Sequence, residues 1–263
     1  MNIRSNHQQA IALLAERFKD DPRFPAAIVG GSVAKGRAKR NSDLDLYIVA
    51  SEEEYVRRLR QRDYHFSPPD ICRYAGGYVD GKVVDLSFLK EAADHGSEPA
   101  RASFTGAIVA YSRISGLPAL IRRIVAYPEK DRRKKIAAFH AQLICWNGYV
   151  AEAQKRKDQY LLRRSVAELV FYGGRMILAH NRILYPYHKW LMHEVQRAPR
   201  RPANLIRLTA KVLARPSVKN AQRYTDCILG YRKWEEPPEG WISRFLEDVE
   251  WGWRTGAQSC AEW

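Results

Sequence analysis

The sequence predicts an α+β protein, a small mixed β-sheet domain with helices on one side followed by an all-α helical bundle. Three observations carry this reading. Short apolar runs bounded by glycine and turn residues fall only in the first hundred or so residues. Beyond residue 118 the apolar spacing is mostly three and four, the period of a helix. The charge changes in the same region: residues 1–100 hold 15 basic and 15 acidic side chains, whereas residues 101–263 hold 29 and 14, so the whole formal charge of +15 belongs to the second part. The expected division is 1–110 and 111–263, and 263 residues suffice for two small domains.

Each element has a local reason. Residues 1–20 place Ile11, Leu13, Leu14 and Phe18 on one helical face. Pro25 precedes Ala26-Ala27-Ile28-Val29, a buried strand that runs into the turn Gly30-Gly31-Ser32. Leu44, Leu46, Ile48 and Val49 form a second strand with Asp43 and Asp45 at its start. Residues 52–62 read as an exposed helix. Val79-Asp80-Gly81-Lys82-Val83 carries the Asp-Gly signature of a hairpin turn, and a strand Val83–Phe88 is expected to leave it. Long helices are expected near 129–156, 159–180, 203–213 and 217–233. From Trp234 to Trp263 the chain is acidic and tryptophan-rich, with seven acids against two arginines. Tryptophans so placed are expected to dock the tail on the core rather than line a pocket.

Composition excludes several classes. Hydrophobic residues at 46% and aromatics at 11% exclude global disorder. No apolar run approaches the roughly 18 residues of a membrane span. The N-terminus is amphipathic rather than a charged head before a greasy core, so no signal peptide is expected. Four cysteines lie far apart without CxxC spacing, which suits a reducing, cytoplasmic setting. The seven histidines show no metal spacing. The basic second part favours anionic partners, a triphosphate or RNA, although no recognised RNA-binding module is present.

The strongest signal is Gly30-Gly31-Ser32-Val33-Ala34-Lys35-Gly36 followed by Asn41-Ser42-Asp43-Leu44-Asp45. Paired glycines let backbone amides approach an anion, and a serine adds a hydroxyl donor. Asp43 and Asp45 are two apart on a strand, so their carboxylates share a face. Such a pair repels itself unless a hard cation such as magnesium neutralises it. A third carboxylate would complete the site. Asp85 is the preferred candidate, because the expected strand turns Val83, Asp85 and Ser87 to one face; Asp80 is the competitor, explained by its Asp-Gly context as a turn residue. Lys35 and Arg37 can approach phosphate from the turn or project into solvent.

These residues resemble the DNA polymerase β-like nucleotidyltransferase superfamily, most closely its small bacterial branch of antibiotic and minimal nucleotidyltransferases. The resemblance covers about residues 25–90. It implies transfer of a nucleoside monophosphate, AMP from ATP by preference, to a hydroxyl of a small-molecule acceptor, with release of pyrophosphate. It implies two magnesium ions and an NTP donor, with Asp43, Asp45 and Asp85 as catalytic metal ligands, Asp85 being ligand or base. Gly30, Gly31, Ser32, Lys35 and Ser42 would surround the nucleotide. The helical part is more weakly similar to the domain that follows the catalytic one in antibiotic-modifying members. In that comparison Lys189 reaches the triphosphate with Arg182 as helper, against the plain alternative of an exposed turn and a solvated lysine. RNA or a partner protein as acceptor, and a non-catalytic nucleotide-binding module, are the competing readings. A domain this basic is a poor partner for a polycationic aminoglycoside.

Overall fold

The computed structural model describes residues 3–256 and 259–263. The chain divides into two compact units, Met1–Ala126 and Tyr127–Trp263. In the first, α1 (Ser5–Phe18) leads into β1 (Ala26–Val29), the one-turn α2 (Gly31–Ala34), β2 (Leu44–Val49), α3 (Glu52–Gln61), β3 (His65–Phe66) and β4 (Val79–Val84). Then follow α4 (Leu86–His95), α5 (Glu98–Ser103), β5 (Ile108–Ser112) and α6 (Leu117–Ile124). The strands form one mixed sheet in the order β3-β4-β2-β1-β5, with β2 and β4 parallel and every other pair antiparallel.

The expected mixed sheet followed by helices is what the chain forms, but the helices cover both faces of the sheet. Every residue of β1 is buried, as a continuous apolar strand requires when neither face meets water. Ala27, Val29, Leu44, Leu46 and Ile48 pack against Ala10, Leu14 and Phe18 of α1. Ala26, Ile28, Tyr47 and Val49 pack against Leu89 of α4 and Leu117, Ile121 and Ile124 of α6. The unit therefore extends past the expected boundary: β5 straddles residues 110 and 111, and both β5 and α6 complete the first core.

No hairpin forms at Asp80-Gly81. Both residues lie inside β4, and neither adopts the positive φ that a two-residue Asp-Gly hairpin turn needs. Gly81 has a different role: a Cβ there would sit 2.2 Å from the Phe66 carbonyl oxygen on β3, so glycine permits the close strand approach. The strand also ends at Val84, and the residues from Leu86 onward turn into α4.

The second unit is built on the hairpin of α7 (Arg132–Arg156) and α8 (Gln159–Asn181). Lys157 closes α7 in the left-handed conformation, and the Asp158 carboxylate starts α8 by accepting from the Leu161 amide at 2.9 Å. α9 (His188–Arg197), α10 (Leu205–Ala214) and α11 (Val218–Leu229) follow, then the short α12 (Trp241–Phe245). Val212, Ala221, Tyr224 and Ile228 join Phe139, Leu169 and Met176 in one core. Arg175 is 1% exposed. Its guanidinium lies 4.4 Å from the Phe139 ring centroid and 4.3 Å from that of Tyr185, and it donates to the carbonyls of Ala261 and Trp263. The tail docks through this arginine and the buried Trp234, whereas Trp241, Trp251 and Trp253, expected to dock it as well, are exposed. Among the described residues no helix is long and apolar enough to cross a membrane.

One buried ion cluster anchors α3. Ser51 caps the helix, and the Glu54 carboxylate, 4% exposed, accepts from Arg57 and Arg58 at 2.7–2.8 Å. The hydrogen bond from Arg57 leads in pushing the Glu54 carboxyl down to about 2 from 4.5, with Arg58 adding to it. A depressed carboxyl contributes stability that is present above its unfolded value and lost as pH falls toward the folded one. Because Arg57 is half exposed, we expect about 1–2 kcal/mol to disappear between pH 4.5 and about 2. Denaturant titrations across that range should show a steeper acid loss in the natural chain than in Glu54→Gln; equal slopes would refute the assignment.

Candidate active site: three carboxylates beside a glycine-serine turn

The parallel pairing of β2 with β4 sets Asp45 directly opposite Asp80. Strand alternation puts Leu44, Leu46, Val79 and Val83 on the α1 side of the sheet. Asp43, Asp45 and Asp80 therefore share the opposite side. Oxygens from these three carboxylates all lie within 4.8 Å of one another, each residue half-buried. β1 abuts the same place. The Gly30 amide donates to the Asp45 carbonyl at 3.0 Å, and Gly31, at φ +59°, lies so close that a Cβ would overlap the Asp45 carboxylate. A side chain at position 31 would be both strained and blocked. Ser32 donates its backbone N–H to the Asp45 carboxylate, while its Oγ is buried with no hydrogen-bond partner among the described residues. Lys35 ends the turn, and the Arg37 amide closes it by donating to the Ser32 carbonyl at 2.8 Å.

The electrostatics report crowded negative charge. Burial raises the Asp45 carboxyl above the usual carboxylate range, and Asp43 and Asp80 raise it further; the Ser32 amide and Lys82 oppose them. The Tyr78 hydroxyl donates to Asp43 at 3.4 Å, and the Asp43 charge is the main reason that phenol is pushed up. His65 Nε2 stands 3.7 Å from Asp80, and the Lys82 ammonium lies 5.5 Å from the Tyr47 ring centroid. Half-buried, mutually repelling oxygens fit a hard divalent cation, which prefers such ligands.

Of the residues singled out in the sequence, the structure brings together Gly30, Gly31, Ser32, Asp43 and Asp45. Ser42 sits just before Asp43, where its Oγ accepts from the Lys39 amide and so shapes the loop. Asp85 does not join the pair. It lies five residues beyond Asp80, about 16 Å along the strand direction at the usual rise. Its carboxylate caps α4, accepting from the Phe88 amide and the Ser87 hydroxyl, both at 2.8 Å. The third carboxylate of the cluster is Asp80. Its sequence signal was present, an acid on the same parity as Lys82 and Val84, but only strand pairing turns it toward Asp45. Arg182 and Lys189 belong to the second unit. Arg182 forms a bidentate pair with Glu129 at 2.7 and 2.9 Å, and Lys189 is exposed in the first turn of α9.

The raised Asp45 carboxyl has a thermodynamic sign. Its charged form is disfavoured in the folded state, so stability is lost as pH rises from the unfolded value of 3.8 through the higher folded one. Asp45→Asn is expected to raise the melting temperature at neutral pH by about 2–4 °C, with the gain vanishing below about pH 4. Added magnesium should stabilise the natural chain but not this variant. Thermal scans at pH 4 and 7, with and without magnesium, check both statements.

Residues 11–94 match the family described as the nucleotidyltransferase domain, and residues 102–191 match one described as a domain of unknown function, DUF4037. A comparison with curated protein sequences returns no match. Among solved structures, a nucleotidyltransferase-like protein from Exiguobacterium sibiricum 255-15 is similar at 12% identity and a TM-score of 0.49, over 95% of this chain and 79% of that one. The match to the nucleotidyltransferase domain lies within the first unit, and the DUF4037 match begins in that unit at residue 102 and runs into the second.

Proposed function

We propose that the chain transfers a nucleoside monophosphate, AMP from ATP, to a hydroxyl of a small neutral or anionic acceptor and releases pyrophosphate. The observation that carries this reading is the Asp43, Asp45 and Asp80 cluster abutting the Gly31-Ser32 turn. The three carboxylates would hold magnesium, which supplies charge neutralisation on the phosphates when bound. Gly31 leaves the backbone open to the β- and γ-phosphates, and the Ser32 hydroxyl, without a partner among the described residues, donates to one of them. Lys35 adds positive charge at the end of the turn.

In the transfer, the acceptor oxygen forms a bond to the α-phosphorus as the bond to the β-phosphate oxygen breaks. The acceptor proton passes to a carboxylate of the cluster, and Asp80, the member beside His65, is the proposed base. The formal charge of +15, carried beyond residue 100, favours a neutral or anionic acceptor over a polycation.

The roles of the two later aspartates separate experimentally. Asp80→Asn should lower magnesium-dependent pyrophosphate release from ATP, screened over hydroxyl acceptors, by at least about 100-fold, the usual scale for losing a positioned base. Asp85→Ala removes a helix cap and should cost about 1 kcal/mol of stability while leaving ATP affinity within about twofold. If Asp85→Ala abolishes magnesium-dependent ATP binding and Asp80→Asn does not, the assignment is reversed. No magnesium-dependent binding of any nucleoside triphosphate by the natural chain would overturn the reading altogether.

A further inference from the structure

Two more polar side chains stand on the face of the sheet that carries the three aspartates. Lys82 lies two residues beyond Asp80 on β4, so strand alternation turns both the same way. His65 on β3 is the register partner of Lys82, and its Nε2 comes to 3.7 Å from the Asp80 carboxylate. The place of Lys82 is fixed by what lies beneath it. Tyr47, its register partner on β2, is 7% exposed. The Tyr47 ring stacks on Phe104 with 4.4 Å between centroids, and its hydroxyl donates to Ser103 Oγ at 2.8 Å. The Lys82 ammonium lies 5.5 Å from the centroid of that locked ring. A lysine stem laid on a rigid aromatic surface holds its charge in one place. That charge is felt at Asp45, yet among the described residues the ammonium makes no ion pair.

The sheet order says which substrate Lys82 faces. From the glycine-serine turn at the end of β1, the site runs through Asp45 on β2 and Asp80 on β4 to His65 on the edge strand β3. β1 and β4 are two strands apart, about 10 Å at the usual spacing. Lys82 is therefore removed from the cradle of the β- and γ-phosphates and stands on the side of Asp80, the proposed base. A divalent cation among the aspartates would take over their neutralisation. The positive charge of Lys82 then serves a partner other than Asp45.

We propose that the acceptor is an acidic alcohol, its ionised carboxylate or phosphate held by Lys82 while its hydroxyl is presented to Asp80. The assignment rests on the nucleotidyltransfer reading and names the substrate class of that same site. Alternate residues on a strand are about 7 Å apart, a spacing that about two or three carbon atoms between hydroxyl and acidic group would span. In the transfer the hydroxyl oxygen bonds to the α-phosphorus, its proton goes to Asp80, and the β-phosphate oxygen leaves with pyrophosphate. The acidic group stays ionised on Lys82 and takes no part in bond making. A cationic alcohol would be repelled by Lys82, and a neutral one would leave the ammonium without a counter-charge.

The test loads the full chain with magnesium and α,β-methylene-ATP, which fills the donor site without reacting. Glycerol 3-phosphate, glycerate, glycerol and ethanolamine are then titrated in by calorimetry. At least one of the two acids is expected to bind at least about tenfold more tightly than glycerol, the scale of one hydrogen bond to a charged group, and ethanolamine to bind weakest. Which acid binds better tells a phosphate ester from a carboxylate, and either order supports the assignment. With ATP in place of the analogue, pyrophosphate release should follow the same order in kcat/KM. Lys82→Gln, at an exposed position, should cost the preferred acid at least about tenfold through KM rather than kcat, and Lys82→Arg should restore it. Affinity of Lys82→Gln for glycerol and for the analogue should stay within about twofold of the natural chain. Acids bound no better than glycerol and ethanolamine would overturn the assignment and leave the nucleotidyltransfer reading standing. So would loss of analogue affinity in Lys82→Gln, which would make Lys82 a ligand of the donor. Failure of the natural chain to bind the analogue with magnesium would instead remove that reading, and this assignment with it.

Discussion

Everything at the proposed catalytic centre depends on the parallel pairing of β2 with β4. Register in such a pair is all or nothing, because a slip of one residue sends every side chain to the other face. Here Leu44, Leu46 and Ile48 on β2 and Val79 and Val83 on β4 are committed to the α1 core. That hydrophobic commitment forces Asp45 and Asp80 to the other face and opposite one another. The carboxylates are thus held together against their repulsion by apolar burial on the reverse side of the same strands. The elevated Asp45 carboxyl is the electrostatic record of that constraint.

The turn between β1 and β2 is constrained just as tightly. Gly31 lies against the Asp45 carboxylate where no Cβ fits, and the Ser32 amide bonds to that same carboxylate. On the other side, the amino end of α1 grips the carbonyls of residues 38, 40 and 42. The short stretch from Gly30 to Asp45 is therefore clamped from both faces of the sheet. A cation among the aspartates would act on this one segment.

The second unit obeys a different logic. Its two longest helices form a hairpin whose core buries a charged group, Arg175, among aromatic rings. A buried guanidinium is tolerated only when its donors are met, and the carbonyls of Ala261 and Trp263 meet two of them. The acidic tail is in this way part of the folded unit.

Much of this was legible in one dimension. The apolar runs and their periods identify the strands and the long helices, and α7, α8, α10 and α11 lie within a few residues of where the 3.6-residue pattern puts them. Gly30-Gly31-Ser32 and the Asp43/Asp45 pair are local features, and local geometry suffices to read them. Asp80 was not legible in that way. Asp-Gly flanked by valines has the same composition whether it turns a hairpin or continues a strand, and Asp85 at a strand end looks the same whether it faces a partner or caps a helix. The sequence by itself determined the fold class and the chemistry of the glycine-serine turn with its aspartate pair, because those rest on neighbours along the chain. Only the tertiary structure decided which third carboxylate stands beside them, because that choice rests on β2–β4 hydrogen bonding between residues some 35 positions apart and on the approach of Phe66 to Gly81.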